Sequence, residues 1–181
     1  GWIECSSCKL RVRAGFRLFE KMWETAQAAD ATRGSVSDAL VEAIDLAPSF
    51  LDYFGGEPRP HVLEGRSLMP ILHGAAIADW RGAAISECDY AMRKARTDHG
   101  QTVADSRMIM VFDGRWKFTF AEGFRPMLFD LEADPRELTD LGADPAFAAE
   151  RERLEDLLFS WSRRLHARIT VSDAAIADRT G

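Results

Sequence analysis

Met108-Ile-Met-Val-Phe-Asp-Gly-Arg-Trp-Lys-Phe-Thr-Phe120 is the stretch that decides the fold. Met108 to Phe112 and Trp116 to Phe120 are short runs of branched and aromatic residues, and Asp113-Gly114 between them is a strong hairpin-turn signal. Ala83 to Glu87 on one side and Met127 to Asp130 on the other have the same character. Four such runs predict a small antiparallel sheet of about four strands. The polar residues 89–106 separate the first two runs and make an excursion longer than an ordinary loop, the kind of insertion that serves function or assembly.

Downstream, Asp144 is placed to cap a helix that has Pro145 in its first position. Leu154, Leu157, Leu158, Trp161 and Leu165 recur at helical spacing, so one face of this helix is expected to close the sheet. Residues 167–181 carry few large apolar groups and read as a tail. The fold class is therefore α+β: about four antiparallel strands packed on a C-terminal amphipathic helix, with short helices before them.

Those short helices come next, moving upstream. Met69 to Leu72 is a brief helix stopped by Gly74. Asp45-Leu-Ala-Pro48 opens another, with Phe50, Leu51 and Phe54 as its expected buried stripe and Gly55-Gly56 as its end. Glu57-Pro-Arg-Pro60 is rigid and non-helical because of its prolines. Val36 to Ile44 fits a short strand or a helix start equally well. Residues 1–30 form a separate, basic segment in which Lys9, Arg11, Arg13, Arg17 and Lys21 face Glu4, Glu20 and Glu24, with Asp30 at its edge. Phe16, Phe19, Met22 and Trp23 would share a helix face there.

The 181 residues correspond to about one domain. With 46% hydrophobic and 29% charged residues, the chain is neither wholly disordered nor fibrous. Its 23 basic and 29 acidic residues leave a net charge of −6, which argues against a nucleic-acid-binding protein. No apolar run is long enough to span a bilayer, and no signal peptide opens the chain, so a cytoplasmic protein without membrane partners is expected. Three cysteines make no disulfide framework. The chain begins at Gly1 and not at methionine, as expected of a processed or partial product.

Three motifs then appear in order: Asp45-Leu-Ala-Pro-Ser-Phe-Leu-Asp-Tyr-Phe-Gly55, Gly65-Arg-Ser-Leu-Met-Pro-Ile-Leu-His-Gly74 and Leu128-Phe-Asp-Leu-Glu-Ala-Asp-Pro-Arg-Glu-Leu-Thr-Asp-Leu141. Together they resemble the C-terminal part of the sulfatase branch of the alkaline phosphatase superfamily, in which the patterns are roughly DLxPTxLDxxG, GxSLxPxLxG and LYDLxxDPxExxNL. Arg115-Trp-Lys117 and Gly123-Phe-Arg-Pro-Met-Leu-Phe-Asp130 look most like the phosphonate monoester hydrolases of that branch. The resemblance runs from about residue 26 to about residue 165, within a subdomain drawn at 31–166.

The motifs themselves are expected to hold the fold together. Asp134-Pro135 forces a turn after the last strand, and Glu137, Leu138 and Leu141 would lay a bend over the sheet. The resemblance implies catalytic machinery elsewhere: a formylglycine nucleophile made from C/S-x-P-x-R, and a divalent metal (Mn, Ca or Zn) held by N-terminal acidic residues and an S-D-H-G segment. Neither is expected in this chain, which is assigned no catalytic, cofactor-binding or metal-binding residue and no cofactor of its own. Cys88 lacks the proline and arginine of the nucleophile motif and is expected to be a buried thiol. Cys5 and Cys8 form a C-x-x-C without a second pair. Thr97-Asp-His-Gly100 imitates the metal-binding segment but comes some fifty residues after the Asp45 motif, where the family has it before. His61, His73 and His166 read as surface or satisfied positions.

The expected function is that of the C-terminal portion of a metal-dependent hydrolase of phosphate, phosphonate or sulfate esters, without the nucleophile and metal half and inactive alone. The alternative is a non-catalytic binding or oligomerisation module derived from that subdomain. A small metal enzyme built on Asp98 and His99 is the third reading. A homo-oligomer is expected to form through the 89–106 excursion and the tail.

Overall fold

The computed structural model describes residues 2–4, 11–13, 37–75, 78–164, 171, 175–176 and 178. The chain divides into two compact units, residues 1–81 with 166–181, and residues 82–165.

The second unit contains the predicted sheet. After β1 (Trp2–Glu4) and β2 (Arg11–Arg13) of the first unit come its strands β3 (Ala84–Asp89), β4 (Arg107–Phe112), β5 (Trp116–Ala121) and β6 (Met127–Asp130), which form an antiparallel meander in sequence order. Register places Val111 opposite Ile85 on one side and Phe118 on the other, and Phe118 opposite Leu128. These side chains therefore share one face, and Val111, Phe118 and Leu128 are fully buried on it. They pack against Leu154 and Leu158 of the helix Ala148–Arg164, which is α4 of the chain. Each such buried side chain contributes about 1.5–3 kcal/mol of transfer free energy. Leu157 packs at the margin of this cluster, while Leu165 and His166 lie outside the described residues.

Local chemistry fixes the ends of these elements. The Asp113 carboxylate accepts from the Arg115 and Trp116 backbone N–H groups at 3.0 and 2.7 Å, and Gly114 takes φ +103°, which closes the β4–β5 hairpin. Asp144 accepts from Ala146 N–H at 2.9 Å, capping a single 3₁₀ turn, Pro145–Phe147, that leads into α4. After β6 the Asp134 carboxylate accepts from Leu138 N–H at 2.6 Å and Thr139 N–H at 2.9 Å, and this turn holds Glu137 at φ +56°. Leu141 reaches the core as expected, but Leu138 is 70% exposed, because the turn aims it away from the sheet. The excursion is also more ordered than a loop: it carries a short helix, α3 (Lys94–Asp98).

In the first unit, β1 (Trp2–Glu4) pairs antiparallel with β2 (Arg11–Arg13). The helix expected around Phe16–Trp23, the Cys5/Cys8 pair and most of the tail lie outside the described residues. Ser37 to Glu42 is irregular and leads into a 3₁₀ turn, Ala43–Asp45, that continues as α1 (Leu46–Tyr53). Gly55 at φ +71° ends α1. The predicted apolar stripe is not what α1 buries. Phe54 is 64% exposed and Phe50 and Leu51 are half-buried, whereas Ser49 and the preceding Asp45 are fully buried. The short helix α2 (Met69–Leu72) ends at His73, with Gly74 at φ +72°, as its proline and glycine predict.

Candidate functional site

The imitation of a metal-binding segment resolves into local contacts. Asp98 ends α3 with its carboxylate held by Lys94 Nζ at 2.6 and 2.7 Å, an exposed (i, i+4) pair. The His99 ring stands edge-on to Phe124, centroids 5.3 Å apart. No three His, Cys, Asp or Glu side chains come together for a metal among the described residues. The divalent ion implied by the family resemblance therefore does not fit Asp98 and His99, and no reaction step is routed through them. His61 is half-buried and His73 exposed. Cys88 is also exposed, contrary to expectation. It sits in the outer half of the edge strand β3, where only β4 flanks the chain, so alternation along the strand does not bury it.

The excursion is fastened to the β5–β6 turn. Tyr90 OH donates to Gln101 Oε1, and Gln101 Nε2 donates to the Glu122 carbonyl at 2.7 Å. Arg96 Nε donates to the Ala91 carbonyl at 2.8 Å and stiffens the same segment from within. Met92 and Val103 are nevertheless left 100% and 66% exposed.

A denser polar arrangement, missed by sequence reasoning, surrounds Asp45. One carboxylate oxygen accepts from Glu42 N–H at 2.8 Å, the other from Arg66 N–H at 2.8 Å and from the Arg81 guanidinium. Arg81 also reaches Glu42 at 2.8 Å. One turn later Ser49 Oγ accepts from Leu68 N–H at 2.8 Å and donates to the Asp45 carbonyl at 2.5 Å. Asp52 accepts from Ser67 Oγ at 2.6 Å. The Trp80 indole donates to the Leu40 carbonyl at 2.8 Å and lies under both the Arg66 and Arg81 guanidinium groups, 5.8 and 5.5 Å from its centroid. Burying a carboxylate is costly unless it is paired and hydrogen-bonded, and here it is both.

Ion pairs organise the end of the sheet near the hairpin. Arg115 Nη2 lies 2.7 Å from Asp130, and Arg153 of α4 binds Asp113. The Arg115 hydrogen bond holds the Asp130 carboxyl below its ordinary range, against the opposing effect of burial. For Asp113 burial pushes upward, but the Arg153 hydrogen bond and two backbone N–H groups outweigh it, and the net shift is downward. These groups are ionised, structural and committed to partners. None is a nucleophile or a poised base.

The three motifs thus do different work at two places. The Asp45 and Gly65 motifs are laced together through Asp45, Ser49, Asp52 and Ser67, while the Leu128 motif builds the last strand and its turn. The profile of the family described as N-sulphoglucosamine sulphohydrolase, C-terminal, matches residues 26–164. This chain belongs to that family. Among curated relatives of this sulphohydrolase C-terminal family, the multifunctional alkaline phosphatase superfamily protein PehA of Trinickia caryophylli is 33% identical over 144 residues, 77% of this chain and 27% of that protein. An N-acetylglucosamine-6-O-sulfatase of Bacteroides thetaiotaomicron is 31% identical over 131 residues, 69% of this chain and 22% of that protein. The phosphonate monoester hydrolase SpPMH of Silicibacter pomeroyi superposes with a TM-score of 0.70 at 28% identity, covering 80% of this chain and 30% of that one. The phosphonate monoester hydrolase of Agrobacterium radiobacter gives 0.64 at 31% identity, covering 71% and 26%. The chain therefore spans about a quarter of the length of these relatives.

Proposed function

We propose that this chain is the C-terminal portion of a cytoplasmic, metal-dependent hydrolase of phosphate, phosphonate or sulfate esters, and that it supplies framework and not the reacting groups. The single observation behind this reading is the Asp45 arrangement. A buried carboxylate that accepts from the backbone N–H groups of Glu42 and Arg66 and from the Arg81 guanidinium ties three stretches of chain together, which is a framework role. When bound in an intact hydrolase, a divalent metal of the Mn, Ca or Zn kind would polarise the ester and lower the pKa of the nucleophile. Side chains other than the described ones would hold it. No helix among the described residues is long and apolar enough to cross a membrane.

The test is a graft. Residues 26–164 would replace the matching C-terminal region of a phosphonate monoester hydrolase, and hydrolysis of an aryl phosphonate monoester and an aryl sulfate would be followed with Mn²⁺ present. The chimera should turn over and the isolated chain should not. Turnover by the isolated chain, abolished by His99→Ala, would overturn the reading in favour of a small metal enzyme.

The second reading, a non-catalytic binding or oligomerisation module, draws on the exposed Met92 and Val103 of the excursion. Large apolar side chains left in water on an ordered segment are a feature of contact surfaces. In that case neither the chimera nor the chain is active, and Met92→Lys abolishes assembly.

A further inference from the structure

We draw no further inference here: the strongest candidate, the apolar cleft beside the C-terminus of α1 walled by Pro48, Leu51, Pro58 and Leu63 with the exposed Phe54 at the end of that helix, carries nothing because nothing in the structure shows what covers it.

Discussion

The Arg81 guanidinium donates to the Asp45 carboxylate across 36 positions of chain, and Asp45 is wholly buried. The pair joins the entry to α1 to Arg81, where the first stretch of the first unit ends. Removing one member of such a pair leaves the other charge desolvated without compensation. Asp45→Ala should lower the free energy of unfolding by about 3–5 kcal/mol, read as a fall in the urea midpoint at constant m-value. Adding Arg81→Met to Asp45→Ala should recover much of the loss, because the stranded cation is then gone. A loss under about 1 kcal/mol for the single change would contradict the assigned role.

Stability should fall in acid, and the sign follows from the direction of the shifts. Asp130 is held below its ordinary value of 3.8 chiefly by Arg115, and Asp134 by the Thr139 N–H. In Asp113 and Asp140 burial acts upward but is outweighed by hydrogen bonds from Arg153 and the backbone, and from the Gly142 and Leu128 N–H groups, respectively. Folded carboxylates with depressed pKa bind protons less readily than the unfolded chain does. Their contribution is complete above the unfolded value of about 3.9 and is lost as pH falls through the folded values. Urea midpoints should be level from pH 7 to about 5 and drop below about 4, and Asp130→Asn should reduce the drop.

Two glycines make an internal control. A Cβ at Gly65 would collide with the backbone of Ile44 and Asp45, whereas at Gly82 it would meet nothing within 4 Å. Gly65→Ala should therefore disturb the Asp45 cluster and cost on the order of 2 kcal/mol or more, while Gly82→Ala should be within about 0.5 kcal/mol of wild type. Thermal melts of the two variants beside wild type decide this.

Cys88 should react with a thiol reagent in the native state, because it lies exposed on the edge strand. Cys88→Ser should remove one equivalent of native-state labelling and leave the melting temperature unchanged. Labelling of Cys88 only in denaturant would contradict the exposure.

Gln101 clamps the excursion between Tyr90 and the Glu122 carbonyl. Gln101→Ala should raise amide hydrogen exchange across 89–106 with little effect on β4 and β5, since local opening draws on local contacts. Uniform exchange changes throughout the sheet would show that the excursion is instead part of the core.

Period, turn chemistry and motif order carried much of the architecture in the chain itself. Alternating branched and aromatic residues, with Asp113-Gly114 between two of the runs, specify the hairpin through local sterics and the register of side chains on a pleated strand. Proline and glycine placed α2, and Asp144-Pro145 the capped 3₁₀ turn that leads into α4, for similarly local reasons. What the sequence did not reveal is which side of α1 faces inward. Apolar spacing favoured Phe50, Leu51 and Phe54, but the buried positions are Asp45 and Ser49, because donors from Arg66, Leu68 and Arg81 arrive there. A polar side chain becomes a buried one only when distant segments satisfy it, and that convergence has no periodicity to read. Cys88 and Leu138 failed for the same kind of reason: their exposure depends on which neighbours the sheet edge and the Asp134 turn leave beside them. By itself, then, the sequence determined the four strands of the sheet, the helices α1, α2 and α4 and the family motifs, since these rest on local geometry, whereas β1, β2 and α3 were not legible in it. Only the tertiary structure decided that Asp45 is a buried hub and that Phe54 stands in water, because burial and exposure are properties of packed neighbours.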